Sequence, residues 1–188
     1  MKIGRIILED STPSSKPDRY GAEIEALFAK IFEEASVFVR ATVPADPKQL
    51  HDAFVRLCDE EKCAVVITTG GTGLGLRDIV PDVTLQVIDK ELPGFGEIMR
   101  YYSYERVPIA AIARGTAGVR GQTVIINLPS RPKAILFCLK LLREAIAEAL
   151  EQLTGKGPVL FVDPIEVPIK KLFNFWKKKD KPAPAATT

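Results

Sequence analysis

The sequence predicts an α/β chain, a three-layer α/β/α sandwich around a mostly parallel central sheet. Three observations lead there. Strand-length apolar runs alternate with runs at helical spacing from Ile3 to Thr68, joined by short links. The strand-like runs are apolar on both faces, as strands buried in a parallel sheet are. The chain has 188 residues, 46% hydrophobic and 27% charged, enough for one core without staples.

Each element follows from local pattern. Residues 3–8 are β-branched and apolar, a central strand. Residues 9–20 are polar with two prolines, a loop. Ile24, Leu27, Phe28, Ile31 and Phe32 share one face of a helix over 22–34. Residues 37–43 form a second strand. A helix over 47–61 turns Leu50, Phe54, Leu57 and Cys58 inward, and residues 64–68 form a third strand. Helices are expected over 82–90 and 95–104, and strands over 109–113 and 123–128 with a turn region at Gly115, Gly118 and Gly121 between them. The longest helical pattern, 132–153, is stopped by Gly155-Lys156-Gly157-Pro158. Leu160-Phe161-Val162 offers one more short strand. Beyond it Ile165, Ile169, Leu172, Phe173 and Trp176 recur near helical spacing with a basic flank, and Pro182 onward is a Pro/Ala/Thr tail read as disordered.

Lys plus Arg number 26 against 24 Asp plus Glu, so the formal charge of +2 gives no prior for a nucleic-acid partner. The excess lies in Lys170, Lys171, Lys177, Lys178, Lys179 and Lys181; the body is net acidic. Cys58, Cys63 and Cys138 fit no disulfide or metal spacing. The apolar run before Glu9 is short for a signal peptide, and no stretch approaches the roughly 20 residues of a membrane span. The expected compartment is the cytoplasm, without membrane contact by the body. His51 lacks neighbouring ligands, and a single histidine leaves no Ser-His-acid arrangement.

The chemistry concentrates after the third strand. In Thr68-Thr69-Gly70-Gly71-Thr72-Gly73 the glycines allow a tight turn that presents N–H groups and threonine hydroxyls to an anion. The run lacks the lysine of a P-loop and the spacing of a dinucleotide fingerprint, so a purely structural glycine turn is the competing reading. Asp78 follows beside Arg77; a carboxylate near polyphosphate acts through a hard cation. Asp46 has two readings: an N-cap before Pro47, or a second acid in the crevice where carboxyl-end loops of parallel strands converge. Asp82 reads as a cap. In Asn127-Leu128-Pro129-Ser130-Arg131-Pro132-Lys133 a strand ends and the long helix opens beside cationic side chains, a second anion-contacting loop; Arg120 is a further cationic candidate.

These stretches, with Arg77-Asp78-Ile79-Val80-Pro81-Asp82-Val83-Thr84 and Leu92-Pro93-Gly94-Phe95-Gly96-Glu97-Ile98-Met99-Arg100, resemble the MogA/MoaB family of molybdenum cofactor biosynthesis over residues 3–154, most closely its MogA branch. The resemblance implies a molybdopterin-binding domain over 1–164 followed by the basic amphipathic segment and tail at 165–188. It implies assembly as a homo-trimer, or a hexamer as in the MoaB branch. The implied activity is Mg²⁺-dependent transfer of AMP from ATP to the terminal phosphate of molybdopterin, the product then meeting a molybdate-inserting protein. The family's two functional aspartates fall on Asp46 and Asp78, read here as catalytic and Mg²⁺-holding. Its glycine loop falls on Gly70, Gly71, Thr72 and Gly73, and its Asn-Leu-Pro-Gly loop on Asn127, Leu128, Pro129 and Ser130. Lys133 and Arg120 supply positive charge to the same ligands.

The chain departs from the family pattern at Glu9-Asp10 where Ser-Asp is usual, at Tyr20 in Asp18-Arg19-Tyr20-Gly21, at Ala113 before Arg114, and at Ser130 in place of glycine. Glu9 is the departure expected to bear most on nucleotide use. Together these motivate a second reading, a catalytically weak or inactive molybdopterin-binding scaffold of the MoaB type. Phe95, Met99 and Tyr102 are expected to form a subunit-packing surface.

Overall fold

The structure, a computed structural model, describes residues 1–8, 21–32 and 37–156, apart from the side chains of Leu27 and Ile31. Glu9, Asp10, Asp18, Arg19 and Tyr20, the strand expected at 160–162 and the segment 165–188 lie outside the described residues, and with them the boundary at 164.

The elements run β1 (Lys2–Leu8), α1 (Gly21–Ile31), β2 (Val37–Val43), α2 (Pro47–Val55) extended by a π-helical turn (Arg56–Glu60), β3 (Val65–Thr69), α3 (Val80–Val87), β4 (Lys90–Glu91), α4 (Pro93–Tyr104), a 3₁₀ turn (Pro108–Ile112), β5 (Ala117–Arg120), β6 (Thr123–Leu128) and α5 (Pro132–Thr154). The described strands form one six-stranded sheet in the order β2-β1-β3-β6-β5-β4. The first four are parallel, and β5 and β4 run antiparallel at one edge. The expected mostly parallel α/β/α sandwich is what the chain adopts.

Alternation along the strands splits the core into two layers. Ile3, Val65, Ile67, Val124 and Ile126 pack under α1, α4 and α5, where Ile24, Phe28, Met99, Leu139, Leu142 and Ile146 are buried. On the other face Ile6, Val66 and Ile125 meet Leu50, Phe54, Val80, Val83 and Val87 of α2 and α3. The first strand is less uniform than its apolar run implies: Arg5 is 1% exposed and forms an ion pair with Glu25 of α1 at 3.4 Å. Glu25 also takes the bidentate guanidinium of Arg40 at 2.5 and 2.6 Å. Opposite charge compensates a cost that burial of arginine alone would impose.

Four local expectations need correction. Residues 109–113 are not a strand; Pro108 opens a 3₁₀ turn that leaves Ile109 and Ile112 exposed. The expected turn region around Gly118 is instead strand β5. A side chain there would begin 2.5 Å from Ile88 Cδ1 and 2.7 Å from the Lys90 carbonyl oxygen, so this glycine marks the close approach of β4 rather than a reversal. The reversal is at Gly121 alone, with φ at +56°. The helix expected from Asp82 starts at Val80 and ends at Val87, leaving Lys90 and Glu91 free to form β4. Phe95 and Met99 are core residues, so the subunit-packing surface cannot be built on them. Among the described residues no helix is long and apolar enough to cross a membrane.

Candidate active site

The parallel register sets Thr69 at the end of β3 beside Leu128 at the end of β6. The loops that follow are therefore neighbours, as in other α/β sheets where crevices form at the carboxyl ends of strands. Gly70 and Gly71 adopt φ of +84° and +65°, a left-handed pair that turns the chain sharply out of β3. At Gly71 a side chain would begin 2.7 Å from Val80 Cγ2, so the loop lies directly against the start of α3. Gly70 N–H donates to the Leu128 carbonyl at 3.2 Å, and Val80 N–H to the Gly71 carbonyl at 3.2 Å. Asp78 folds back on this loop: its Oδ2 accepts from Gly75 N–H at 2.9 Å while its own N–H donates to the Gly75 carbonyl at 2.9 Å.

A cavity of about 670 Å³ opens where these loops meet. Gly70, Gly71, Thr72, Gly73 and Asp78 form one wall, and Asn127, Pro129, Ser130 and Lys133 a second. Met99, Phe137 and Cys138 from α4 and α5 contribute an apolar side, with Ile109 and Ile112 from the 3₁₀ turn. The first turn of α5 opens onto the space at Lys133 and Ala134, where the Ala134 N–H already donates to the Arg131 carbonyl at 2.9 Å. Among the described lining residues Arg100, Arg106, Arg131 and Lys133 are cationic and Asp78 alone is a carboxylate. Arg106 stacks over the Phe137 ring at 3.9 Å, and Arg100 donates to the Gly115 carbonyl at 3.0 Å. The result is an anion-seeking pocket with one acid and an apolar flank.

Asn127 lines this space from the floor. It is 1% exposed, its amide nitrogen donates to Thr84 Oγ1 at 2.9 Å and Thr68 Oγ1 at 3.3 Å, and its Oδ1 accepts from Thr116 N–H at 3.4 Å. Its side chain ties β3, α3 and β6 together beneath the loops.

Two predicted residues lie elsewhere. Asp46 does not line the cavity; its carboxylate accepts from Gln49 N–H at 2.8 Å and caps α2, as Pro47 at the first helical position favours. Arg120 is at the far end of the sheet. Because β5 runs antiparallel to β6, its last residue is carried to the amino-terminal edge of the parallel strands. There Arg120 pairs with Asp59 at 2.6 Å and donates to the Val87 carbonyl at 2.9 Å, so it contributes no charge to the cavity.

Arg114 is the residue that sequence reasoning passed over. Its Nε donates to the Gly73 carbonyl at 2.8 Å, one terminal nitrogen donates to the Asp78 carbonyl, and both reach the Asp82 carboxylate at 2.8 and 3.0 Å. This bond to Arg114 holds the Asp82 carboxyl below its usual range. Asp82 is accordingly an arginine partner within the first turn of α3, not its cap. The only advance signal was the Ala113-Arg114 pair matching a family Ser-Arg. Burial pushes the Cys138 thiol up to about 11, which keeps it protonated and unreactive on the cavity wall.

The glycine turn, the acid and the cationic helix start share one crevice, and the family model described as a probable molybdopterin binding domain matches residues 9–159. The chain belongs to this family. Among its relatives is molybdopterin adenylyltransferase of Helicobacter pylori, 38% identical over 152 residues that cover 79% of this chain and 86% of that protein. The enzyme of the same name from Haemophilus influenzae is 36% identical, over 72% of this chain and 69% of its own. Of solved structures, the molybdopterin biosynthesis enzyme MoaB of Thermus thermophilus superposes with a TM-score of 0.72 at 32% identity, covering 83% of this chain and 98% of that one. In this molybdopterin-binding-domain family member the crevice is thus formed by the motifs that carried the resemblance, with Asp46 and Arg120 outside it.

Proposed function

We propose that the chain is a molybdopterin adenylyltransferase, joining AMP from ATP to the terminal phosphate of molybdopterin and releasing pyrophosphate. The observation that carries this reading is the convergence of the Gly70–Gly73 turn, Asp78 and the Asn127–Lys133 loop on one cavity, in a chain 38% identical to a curated enzyme of that name.

In the reaction an oxygen of the molybdopterin phosphate attacks the α-phosphorus of ATP; one P–O bond forms as the bond to the bridging oxygen of pyrophosphate breaks. The attacking phosphate is already anionic, so the site needs no strong general base. The N–H groups of Gly71, Thr72 and Gly73 stabilise charge that develops on the phosphoryl oxygens, and Lys133 and Arg131 add positive charge. The apolar side at Met99 and Phe137 suits the flat ring of a nucleobase or a pterin.

Mg²⁺ fits this donor set. The described residues contain no cluster of three or more candidate ligands, but magnesium characteristically takes one or two carboxylates and fills its remaining positions with water and substrate phosphates. Asp78 would hold it; Asp46, which caps α2 outside the cavity, is not part of this donor set. Bound there it would supply positive charge to neutralise the triphosphate and polarise the α-phosphoryl group. The protein is proposed to work in the cytoplasm as a homo-trimer or hexamer and to pass its product to a molybdate-inserting partner. Light scattering at micromolar concentration should report a multiple of three; a monomer alone would refute the assembly.

Purified protein given ATP, Mg²⁺ and molybdopterin should release pyrophosphate in step with adenylylated pterin. Tight pterin binding without turnover would replace the enzyme with the scaffold reading.

A further inference from the structure

We infer that Arg114 is a positioning residue for the phosphate-handling wall, setting the glycine turn and Asp78 from behind. The inference rests on the adenylyltransferase reading and deepens it. Arg114 does not line the cavity, and neither does its partner Asp82. Its effect on ligands therefore passes through what it holds.

It holds a good deal. The backbone N–H of Arg114 donates to the Thr72 carbonyl at 2.9 Å, and the side chain reaches Gly73 and Asp78 carbonyls together with both oxygens of Asp82. Four points of one turn and the helix after it, Thr72, Gly73, Asp78 and Asp82, are thus tied to a single residue. Arg114 is itself anchored. Arg100 of α4 donates to the carbonyls on either side of it, at Ala113 (3.4 Å) and Gly115 (3.0 Å). The wall made by the 3₁₀ turn and the wall made by the glycine turn are joined through this residue.

Only a guanidinium meets all these acceptors. Its fork is planar, with donors in fixed directions, whereas a lysine ammonium is one compact centre on a flexible stem. The Asp78 carboxylate in turn closes the loop on Gly75 N–H. Freed at its carbonyl, Asp78 would sample more orientations, and a lone carboxylate that must meet a cation and phosphates at one place loses affinity when its orientation is loose. The charge pair is half exposed, with Arg114 34% and Asp82 54% accessible, so replacement opens no core cavity.

The test compares Arg114→Lys and Asp82→Asn with the parent by two readouts. In the first, hydrogen exchange is followed at the Gly75 and Asp78 amides without ligand. Arg114→Lys should speed both by at least about tenfold, and Asp82→Asn, which keeps the bonds to Gly73 and Asp78, by less. In the second, pyrophosphate release is titrated with Mg²⁺ at saturating ATP. The half-saturating Mg²⁺ should rise about 10–100-fold in Arg114→Lys, with turnover largely restored at high Mg²⁺. The double variant should match Arg114→Lys alone, because both act through one contact set. Unchanged exchange overturns the inference, and so does a loss of turnover that Mg²⁺ does not restore. A parent protein without turnover would count against the adenylyltransferase reading instead, and the exchange result would then decide the positioning role by itself.

Discussion

Two arginine–aspartate pairs flank β5, and they use the same chemistry for different ends. Arg114, three residues before the strand, grips Asp82 and two carbonyls behind the cavity. Arg120, the last residue of the strand, grips Asp59 and the Val87 carbonyl at the opposite edge of the sheet. Each pins a helix or helical turn to the antiparallel edge, and in each the arginine lowers its partner's carboxyl pKa. Only direction along the sheet separates them. The residues at the carboxyl ends of parallel strands face the crevice, and those at the amino ends face packing. A strong ion pair is therefore no guide to function until its strand is oriented.

The largest effect is expected at the crevice itself. Asp78→Asn should lower turnover by at least about 100-fold with the melting temperature unchanged, because asparagine keeps an acceptor for Gly75 N–H and removes the charge that holds a cation. Turnover within about threefold of the parent would remove Asp78 from its role. Asp46→Asn should leave turnover within about threefold, because its carboxylate lies outside the cavity. Asparagine caps as well as aspartate, so α2 stays intact. Asp46→Ala should add a melting-temperature loss worth about 1 kcal/mol.

At the far end the order reverses, with stability moving and activity staying still. Arg120→Gln should cost about 1 kcal/mol in a urea titration, as half-exposed pairs do, and leave turnover within about threefold. The smallest effect is in pH. Asp59 and Asp82 titrate lower in the fold than in the unfolded chain, so each pair's stabilisation is complete above the unfolded value near 4 and is lost as pH falls through the folded one. The urea midpoints of the parent and of Asp59→Asn should differ at pH 7 and draw together as pH falls below about 4. A gap that does not narrow with acidification would show that the pair acts by something other than charge.

The contrast also explains what could be read from the residues alone. β1, β2, β3 and β6 were legible as short β-branched apolar runs, and α5 because its stripe is long and ends at Gly155 with φ at +75°. The glycine turn, Asp78 and the Asn127–Lys133 loop were legible from their glycines, charges and strand-end positions and from the family resemblance, whereas the pairing of β3 with β6 that joins them was not. Nor was the antiparallel edge. β4 has two residues and β5 four, too short for periodicity, and Gly118 resembles a turn although it is a site of close strand approach. With β5 unseen, Arg120 had no direction and was assigned to the wrong end. Arg114 looked like a loop residue, since its partners at Gly73, Asp78 and Asp82 are 32 to 41 positions away.

Arg114 lies just before β5 and Arg120 ends it, and the same substitution at both positions tests the contrast between them most directly. Pyrophosphate release by Arg114→Lys and Arg120→Lys should be titrated with Mg²⁺ side by side. The half-saturating Mg²⁺ should rise at least about tenfold for the first and stay within about twofold for the second. Equal shifts, or a larger one at Arg120, would contradict it.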